Sequence, residues 1–155
     1  MTSRPGGHAY TVTGDLTNED QVQRLIDEAQ SFVKPIEIVI NNAGSSGETE
    51  DWTMTRAETW ATGDDRNVLA AVRVTSRVLP RMREAKWGRL VDISGLAALT
   101  PPFKRPDYSA AKAAMIAMTA SLAKAVAMDG ITANTVSPGT IHSVSLEETF
   151  RKAAA

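Results

Sequence analysis

Apolar residues recur every three or four positions in three segments of the chain, which is the spacing of an amphipathic helix. The first segment begins after Thr17, a residue suited to capping, and ends before Pro35. The second covers about residues 65–83. The third begins at Tyr108, is rich in alanine and ends near Gly130. The pattern therefore predicts three long helices.

Four short apolar runs separate these helices, and they indicate strands. They cover residues 8–13, 36–40, 89–93 and 131–136. The second run is mostly β-branched and has helices on both sides, so we expect it to be an interior strand of a parallel sheet. The alternation of strands and helices predicts right-handed crossovers and one three-layer α/β domain over residues 1–155.

Two segments lack regular periodicity. Residues 45–63 are polar, and we expect a loop that leads into a partly helical stretch. Residues 95–107 contain Pro101, Pro102 and Pro106, which are incompatible with a regular element. We expect this second loop to lie beside a substrate.

Composition narrows the class of protein. A chain with 43% hydrophobic residues and a net charge of -1 suits a folded domain and gives no reason to expect binding to nucleic acid or membrane surfaces. It has no cysteine, and its two histidines, His8 and His142, do not have metal-ligand spacing. No apolar run approaches the ~18 residues of a membrane span, and residues 1–9 do not resemble a signal peptide. We therefore expect a cytoplasmic protein without a metal site.

Tyr108 and Lys112 are the first candidates for chemistry. Residues four apart on a helix lie on the same side, so the ammonium can sit near the phenol. A free phenol has a pKa near ~10, and a nearby positive charge favours its ionised form. Ser109 and Lys112 also fit the spacing S-x-x-K, in which a lysine can activate a serine nucleophile.

Three polar clusters follow three of the predicted strands. They are Asn41-Asn42-Ala43-Gly44, Ser94-Gly95 and Ser137-Pro138-Gly139. Ligands of open α/β sheets bind outside the carboxyl ends of the strands, so these clusters and Tyr108 should face one crevice. With N-N-A-G, Y-x-x-x-K and P-G in this order, the chain resembles the short-chain dehydrogenase/reductase family from about residue 8 to residue 144.

The resemblance implies a Rossmann-like fold with a mostly parallel sheet, truncated at both ends relative to the family. It also implies an NAD(P)-dependent oxidoreductase that interconverts a carbonyl and an alcohol. Tyr108 would exchange the proton, and Lys112 would lower the pKa of Tyr108 and bind the nicotinamide ribose. Ser94 would donate to the substrate oxygen, and Asn67 would hold a water that relays protons to Lys112. The implied partners are a small carbonyl or alcohol substrate and further copies of the chain.

The family's cofactor contacts transfer to matching positions only, and Tyr108 and Lys112 belong to them as well. Asp15 would meet the adenine amino group. The remaining positions would line the adenosine, the ribose and the nicotinamide: Asn41, Ala43, Gly44, Pro138, Gly139, Ile141 and Ser143. The cofactor would be NAD or NADP.

Three departures from the family pattern change these expectations. No glycine-rich turn matches the family's nucleotide-binding signature, so the pyrophosphate would lack its usual cradle of backbone amides and tight dinucleotide binding is not expected. The position of the family's serine falls on Gly95, one residue beyond Ser94. The family's first two strands and last strand have no counterpart, and we expect the strand at 8–13 to pair directly with that at 36–40, or another chain to fill the gap.

Two alternatives to an oxidoreductase remain. One is a serine esterase that uses Ser109 and Lys112 and needs no dinucleotide. The other is a non-catalytic remnant that keeps its helices for oligomer contacts.

Overall fold

The computed structural model describes residues 7–32, 35–47, 51–141 and 151. In chain order its helices and strands are α1 (Glu19–Phe32), β1 (Ile38–Asn41), α2 (Ala57–Asp64), α3 (Ala70–Ala85), β2 (Gly88–Ile93), α4 (Pro106–Val126) and β3 (Ile131–Val136). A π-helical turn, Asp65–Leu69, joins α2 to α3. The predicted α/β class is confirmed.

The three strands form a parallel sheet in the order β1-β2-β3. Ile40 pairs with Val91, and Val91 pairs with Asn134, so β2 is central. Within the described residues β1 is an edge strand, and the prediction of an interior strand there is wrong. The reason is that no other described segment forms a strand beside it.

Helices cover one face of this sheet. Leu90, Ile131 and Ala133 point toward α3 and α4 and are buried. On the opposite face Ile38 and Ile40 are 59% and 62% exposed. Parallel sheets are usually covered on both faces. The described residues therefore supply one helical layer of the predicted three-layer arrangement.

Residues 8–13 do not form the predicted strand. Tyr10 instead stacks on Phe32 at the end of α1, with 4.6 Å between ring centroids. Without a ladder of backbone hydrogen bonds to a neighbour, an extended segment is not a strand. The expected pairing of this segment with β1 is therefore wrong, and occupation of the gap by another chain stays a prediction.

The start of α1 also differs from expectation. Asn18, not Thr17, caps the helix, because Asn18 Oδ1 accepts the backbone N–H of Gln21 at 3.0 Å. The Thr17 hydroxyl donates to Asp15 at 2.7 Å. Arg73 of α3 then binds Glu19 in the first turn of α1 at 2.9 Å, which fixes α1 against α3.

The longest helix is α4. Together with the turn that follows, Pro106–Asp129 is long and apolar enough to cross a membrane, by length and composition alone. The core helix of a folded domain meets the same criterion, and no uninterrupted apolar run of ~18 residues occurs in this segment. One side of α4 packs on the sheet through Met115, Thr119 and Val126. The other side exposes a stripe of small residues, Ala110, Ala113, Ala117 and Ala120.

Candidate active site

The polar clusters meet at the carboxyl ends of β2 and β3. Two backbone hydrogen bonds join the loops that follow these strands, from Ser94 N–H to Val136 O at 2.8 Å and from Leu96 N–H to Pro138 O at 2.9 Å. Beside them lies a cavity of about 580 Å³. Its lining includes these predicted site residues: Gly44, Ser94, Tyr108, Lys112, Pro138, Gly139 and Ile141.

Tyr108 and Lys112 share one side of α4, as their spacing predicts. The Lys112 ammonium lies 5.6 Å from the centroid of the Tyr108 ring. It donates to the backbone oxygen of Ile93 at 2.8 Å and lies 3.6 Å from Met115 Sδ. The ammonium therefore faces the ring of Tyr108 while its hydrogen bond goes to the end of β2.

Burial controls the protonation of this pair. It raises the pKa of Tyr108 above its ordinary value, and the Arg105 guanidinium acts in the opposite direction. Burial also lowers the pKa of Lys112, because a desolvated ammonium is less stable. The lowering of the Tyr108 pKa by Lys112 stays a prediction.

Ser94 borders the cavity, but its hydroxyl points to α4. Ser94 Oγ donates to the backbone oxygen of Lys112 at 2.7 Å, and the residue is 4% exposed. Successive residues of a strand point to opposite sides, so the next residue, Gly95, faces the cavity. A Cβ built on Gly95 would lie 3.8 Å from Tyr108 Oη. The position suited to a hydroxyl beside Tyr108 is therefore 95.

Asn67 lies in the π-helical turn and is completely buried. Its amide nitrogen donates to the backbone oxygens of Ser45 and Gly63, each at 2.9 Å. Its Oδ1 has no hydrogen-bond partner among the described residues. A Cβ on Gly44 would lie 2.5 Å from this oxygen and 3.5 Å from Lys112 Nζ. Asn67 thus has an acceptor next to Lys112, and its water-relay role stays a prediction.

A second cavity, of about 340 Å³, lies beside the first. Asp15, Ala43, Gly44 and Arg66 line it, so the structure brings together three residues expected at the adenosine. Asp15 accepts the backbone N–H and the hydroxyl of Thr17, and these bonds hold the pKa of Asp15 below its usual value. Because Gly44 lines both cavities, an extended ligand could pass from one to the other.

Asn41 was also expected at the cofactor, but it lines neither cavity. The Asn41 side chain is in the core, where it donates to Asp92 at 2.8 Å and to Thr75 at 3.1 Å. Ser143 lies outside the described residues. The next residue of the first cluster, Asn42, lines the larger cavity although the sequence did not single it out.

The two cavities fit a dinucleotide. The larger one is lined by Tyr108 and Lys112, and the smaller one is lined by Asp15. Gly44 and Gly139 allow a ligand to approach the backbone closely, since neither has a side chain in the way. These groups suit a nicotinamide riboside in the larger cavity and an adenosine in the smaller one.

The serine-esterase pair does not assemble. Ser109 is 4% exposed, and its hydroxyl has no hydrogen-bond partner among the described residues. Lys112 instead donates to Ile93. A nucleophile must reach its base and its substrate, and this geometry gives the esterase alternative no support.

Comparison with known sequences decides the family. Residues 1–154 match the sequence profile of the family described as short chain dehydrogenase. The chain belongs to the short-chain dehydrogenase family. The resemblance carried by the N-N-A-G, Y-x-x-x-K and P-G motifs is thereby confirmed.

Individual short-chain dehydrogenases share much of this chain. The acetoacetyl-CoA reductase of Cupriavidus necator is 37% identical over 128 residues, which are 83% of this chain and 52% of the relative. A 3-oxoacyl-(acyl-carrier-protein) reductase of a Synechocystis species is 34% identical over a stretch that covers 88% of this chain and 55% of that reductase. The structure of ElxO with NADP bound is 26% identical and superposes with a TM-score of 0.82, over 91% of this chain and 57% of ElxO. The chain thus spans about half the length of these relatives.

Gly44→Ala tests the close packing at the junction of the two cavities. The new methyl would press on the buried Asn67 carbonyl, and we expect the free energy of unfolding to fall by about 1–3 kcal/mol. Gly139→Ala is the matched control, since a Cβ there meets no described atom within 4 Å and should change stability by less than about 0.5 kcal/mol. Urea unfolding measures both, and equal midpoints would contradict this packing.

Proposed function

We propose that this chain carries the reaction site of an NAD(P)-dependent oxidoreductase that interconverts a carbonyl and an alcohol, with Tyr108 as the proton donor. One observation carries the proposal: the Tyr108 hydroxyl, position 95 and the Lys112 ammonium border one cavity of about 580 Å³ at the ends of two parallel strands. A reduced carbonyl oxygen in that cavity would lie within reach of a proton source.

Each residue has a defined task in this reaction. Tyr108 donates a proton to the carbonyl oxygen, on which negative charge develops as the carbon is reduced. Lys112 holds the first turns of α4 against β2 through Ile93 O, which keeps the Tyr108 ring at the cavity. NAD(P)H, when bound, would provide the hydride for the carbonyl carbon. Asn67 Oδ1 offers an acceptor to a water that could return a proton toward Lys112.

A 3-oxoacyl thioester is the substrate class that we favour. Two relatives are named as reductases of acetoacetyl-CoA and of 3-oxoacyl groups on acyl-carrier protein. The wall of the larger cavity includes Leu96 and Ile141, which are 47% and 68% exposed and suit an acyl chain.

Tyr108→Phe tests the proposed function. It removes the proton donor, and we expect the rate of acetoacetyl-CoA reduction by NADPH to fall by at least about 100-fold, as for the loss of a general acid. NADPH affinity should change little, since the ring remains. NADPH absorbance follows turnover, and quenching of tryptophan fluorescence reports binding.

Tyr10→Phe is the matched control for this test. Tyr10 is 53% exposed and stacks on Phe32 away from the cavity lining, so its loss should leave turnover unchanged. Equal activity of Tyr108→Phe and the unmodified chain would overturn the proposed role. A stable oligomer with neither turnover nor NADPH binding would favour the non-catalytic alternative.

Gly95→Ser tests whether the lack of a hydroxyl beside Tyr108 limits the rate of the proposed reaction. Gly95 has an extended backbone, with φ of 178°, so serine fits without backbone strain. Its hydroxyl would donate to the developing oxyanion, and we expect kcat/KM to rise by about 10-fold. Gly95→Ala adds the same Cβ without the donor and should give no increase. An equal response of both variants would show that space, not the hydroxyl, matters.

We also propose that copies of this chain associate through α4. The exposed alanine stripe on α4 lets a second helix approach closely. An α4–α4 contact would also account for the apolar residues on the side of α4 that does not pack on the sheet. Such pairing would bury this surface without a membrane.

Ala117→Glu tests this association, because a charge in the centre of the stripe would be buried without a partner. We expect sedimentation velocity to show smaller species than for the unmodified chain. Ala85→Glu places the same change at an exposed alanine at the end of α3 and should leave the size distribution as it is. Equal sedimentation of Ala117→Glu and the unmodified chain would exclude the α4 interface.

A further inference from the structure

Arg66 occupies a distinctive position beside the smaller cavity. Among the described residues it is the only cation in the wall of that cavity. It also lines a third cavity, of about 250 Å³, which lies between the loop after β1, α2 and the start of α4. Ser45 is the other residue that borders both. Arg66 therefore lies between two openings on this side of the molecule.

The residues on either side of Arg66 are held in place. Asp65 accepts from the Arg73 guanidinium at 2.6 Å. Asn67 donates to Ser45 O at 2.9 Å, which joins the π-helical turn to the loop after β1. That loop forms another part of the wall of the smaller cavity. The backbone of Arg66 is therefore fixed beside this cavity.

The Arg66 guanidinium is available to a ligand. The residue is exposed, and its guanidinium forms no hydrogen bond or ion pair with any described residue, including Glu58 and Asp107 in the third cavity. Arg73, the next cation along the same helical segment, is instead ion-paired to two carboxylates. A guanidinium presents its donors in a planar fork that matches two oxygens of a phosphate. An arginine with unused donors in a cavity wall is therefore suited to bind phosphate.

We propose that Arg66 binds a phosphate group of the dinucleotide whose adenosine half occupies the smaller cavity. This inference rests on the proposed function, because it assigns a further residue to the cofactor site. The dinucleotide would pass between the two cavities at Gly44, and a Cβ on Gly44 would touch Asn67, the residue next to Arg66. Arg66 thus follows directly on the part of the wall where the two halves of the ligand would join.

The charges in the smaller cavity support this role. Asp15 is the only carboxylate among the described residues of its wall. Hydrogen bonds from Thr17 lower the pKa of Asp15 most, and the charges of Arg73 and Arg66 lower it further. The charge of Arg66 therefore reaches this cavity. Without Arg66, the described wall would present only a negative charge to an anionic ligand.

Nucleotide binding tests the proposal without any need for catalysis. We expect Arg66→Gln to raise the Kd for NADPH by about 10-fold, as for the loss of a charge-assisted hydrogen-bonding group. Arg66→Lys keeps the charge without the fork and should restore part of the affinity. Quenching of tryptophan fluorescence measures the Kd for NADPH, and isothermal titration calorimetry measures the Kd for ADP. The affinity of Arg66→Gln should also depend less on salt concentration.

A comparison of nucleotides shows which phosphate Arg66 binds. NADH and ADP carry only the diphosphate, whereas NADPH carries a further phosphate on the adenosine ribose. An equal loss of affinity for all three in Arg66→Gln would assign Arg66 to the diphosphate. A loss confined to NADPH would assign it to the ribose phosphate.

Arg56→Gln is the matched control. Arg56 precedes α2, is exposed and lines neither the smaller nor the third cavity, so its loss removes the same charge from the chain elsewhere. It should leave all three affinities unchanged. Far-UV circular dichroism confirms that each variant stays folded.

The outcomes separate this inference from the proposed function. An unchanged Kd in Arg66→Gln, an equal increase in Arg56→Gln, or no detectable binding of any of the three nucleotides to the unmodified chain would overturn the role of Arg66. Carbonyl reduction by a chain whose Kd does not depend on Arg66 would retain the proposed function and reject this role. Binding that depends on Arg66 in a chain that reduces no carbonyl would retain the phosphate site and reject the proposed function.

Discussion

The geometry of the site depends on two short hydrogen bonds that join α4 to the end of β2. Ser94 Oγ donates to Lys112 O at 2.7 Å, and Lys112 Nζ donates to Ile93 O at 2.8 Å. Both residues are 4% exposed, and hydrogen bonds in such low-dielectric surroundings are strong and costly to break. Since Tyr108 lies one turn before Lys112, these bonds fix the distance of the phenol from the loop after β2. Ser94 and Lys112 thus hold the site together as well as border it.

A second buried network sets the relation of the strands to the same helix. Asp92 is completely buried and accepts from Asn41 Nδ2 at 2.8 Å and from Thr119 Oγ1 at 2.6 Å. It therefore links β1, β2 and α4 beneath the cavity. A buried carboxylate is tolerated when donors satisfy its oxygens, and Asn41 is committed to that task. This is why the first asparagine of N-N-A-G lies in the core while Asn42 and Gly44 reach the larger cavity.

The sequence correctly predicted the helices and strands whose formation depends mainly on local residue patterns. β3 has its predicted bounds, 131–136, and the motif residues after β1, β2 and β3 lie at one edge of the sheet. The predictions that were wrong concern contacts between residues that are distant in the chain. Residues 8–13 have the composition of a strand, but they find no strand to pair with and lie along α1 instead. The side on which a residue at a strand end points was likewise decided by tertiary contacts, so Ser94 was expected at the substrate although its hydroxyl binds α4.

The two halves of the crevice differ in how completely the described residues enclose them. The larger cavity is bounded by β2, β3, α4 and their loops, and these elements are connected by the hydrogen bonds above. The smaller cavity lies between the loop after β1 and residues 14–17, next to the edge of the sheet where Ile38 and Ile40 are exposed. The backbone-amide cradle that usually holds the phosphates of a dinucleotide has no counterpart in this sequence. The proton transfer that we propose at Tyr108 would use groups that the described residues already hold in place, whereas the proposed cofactor would also lie against the side of the sheet that these residues leave uncovered.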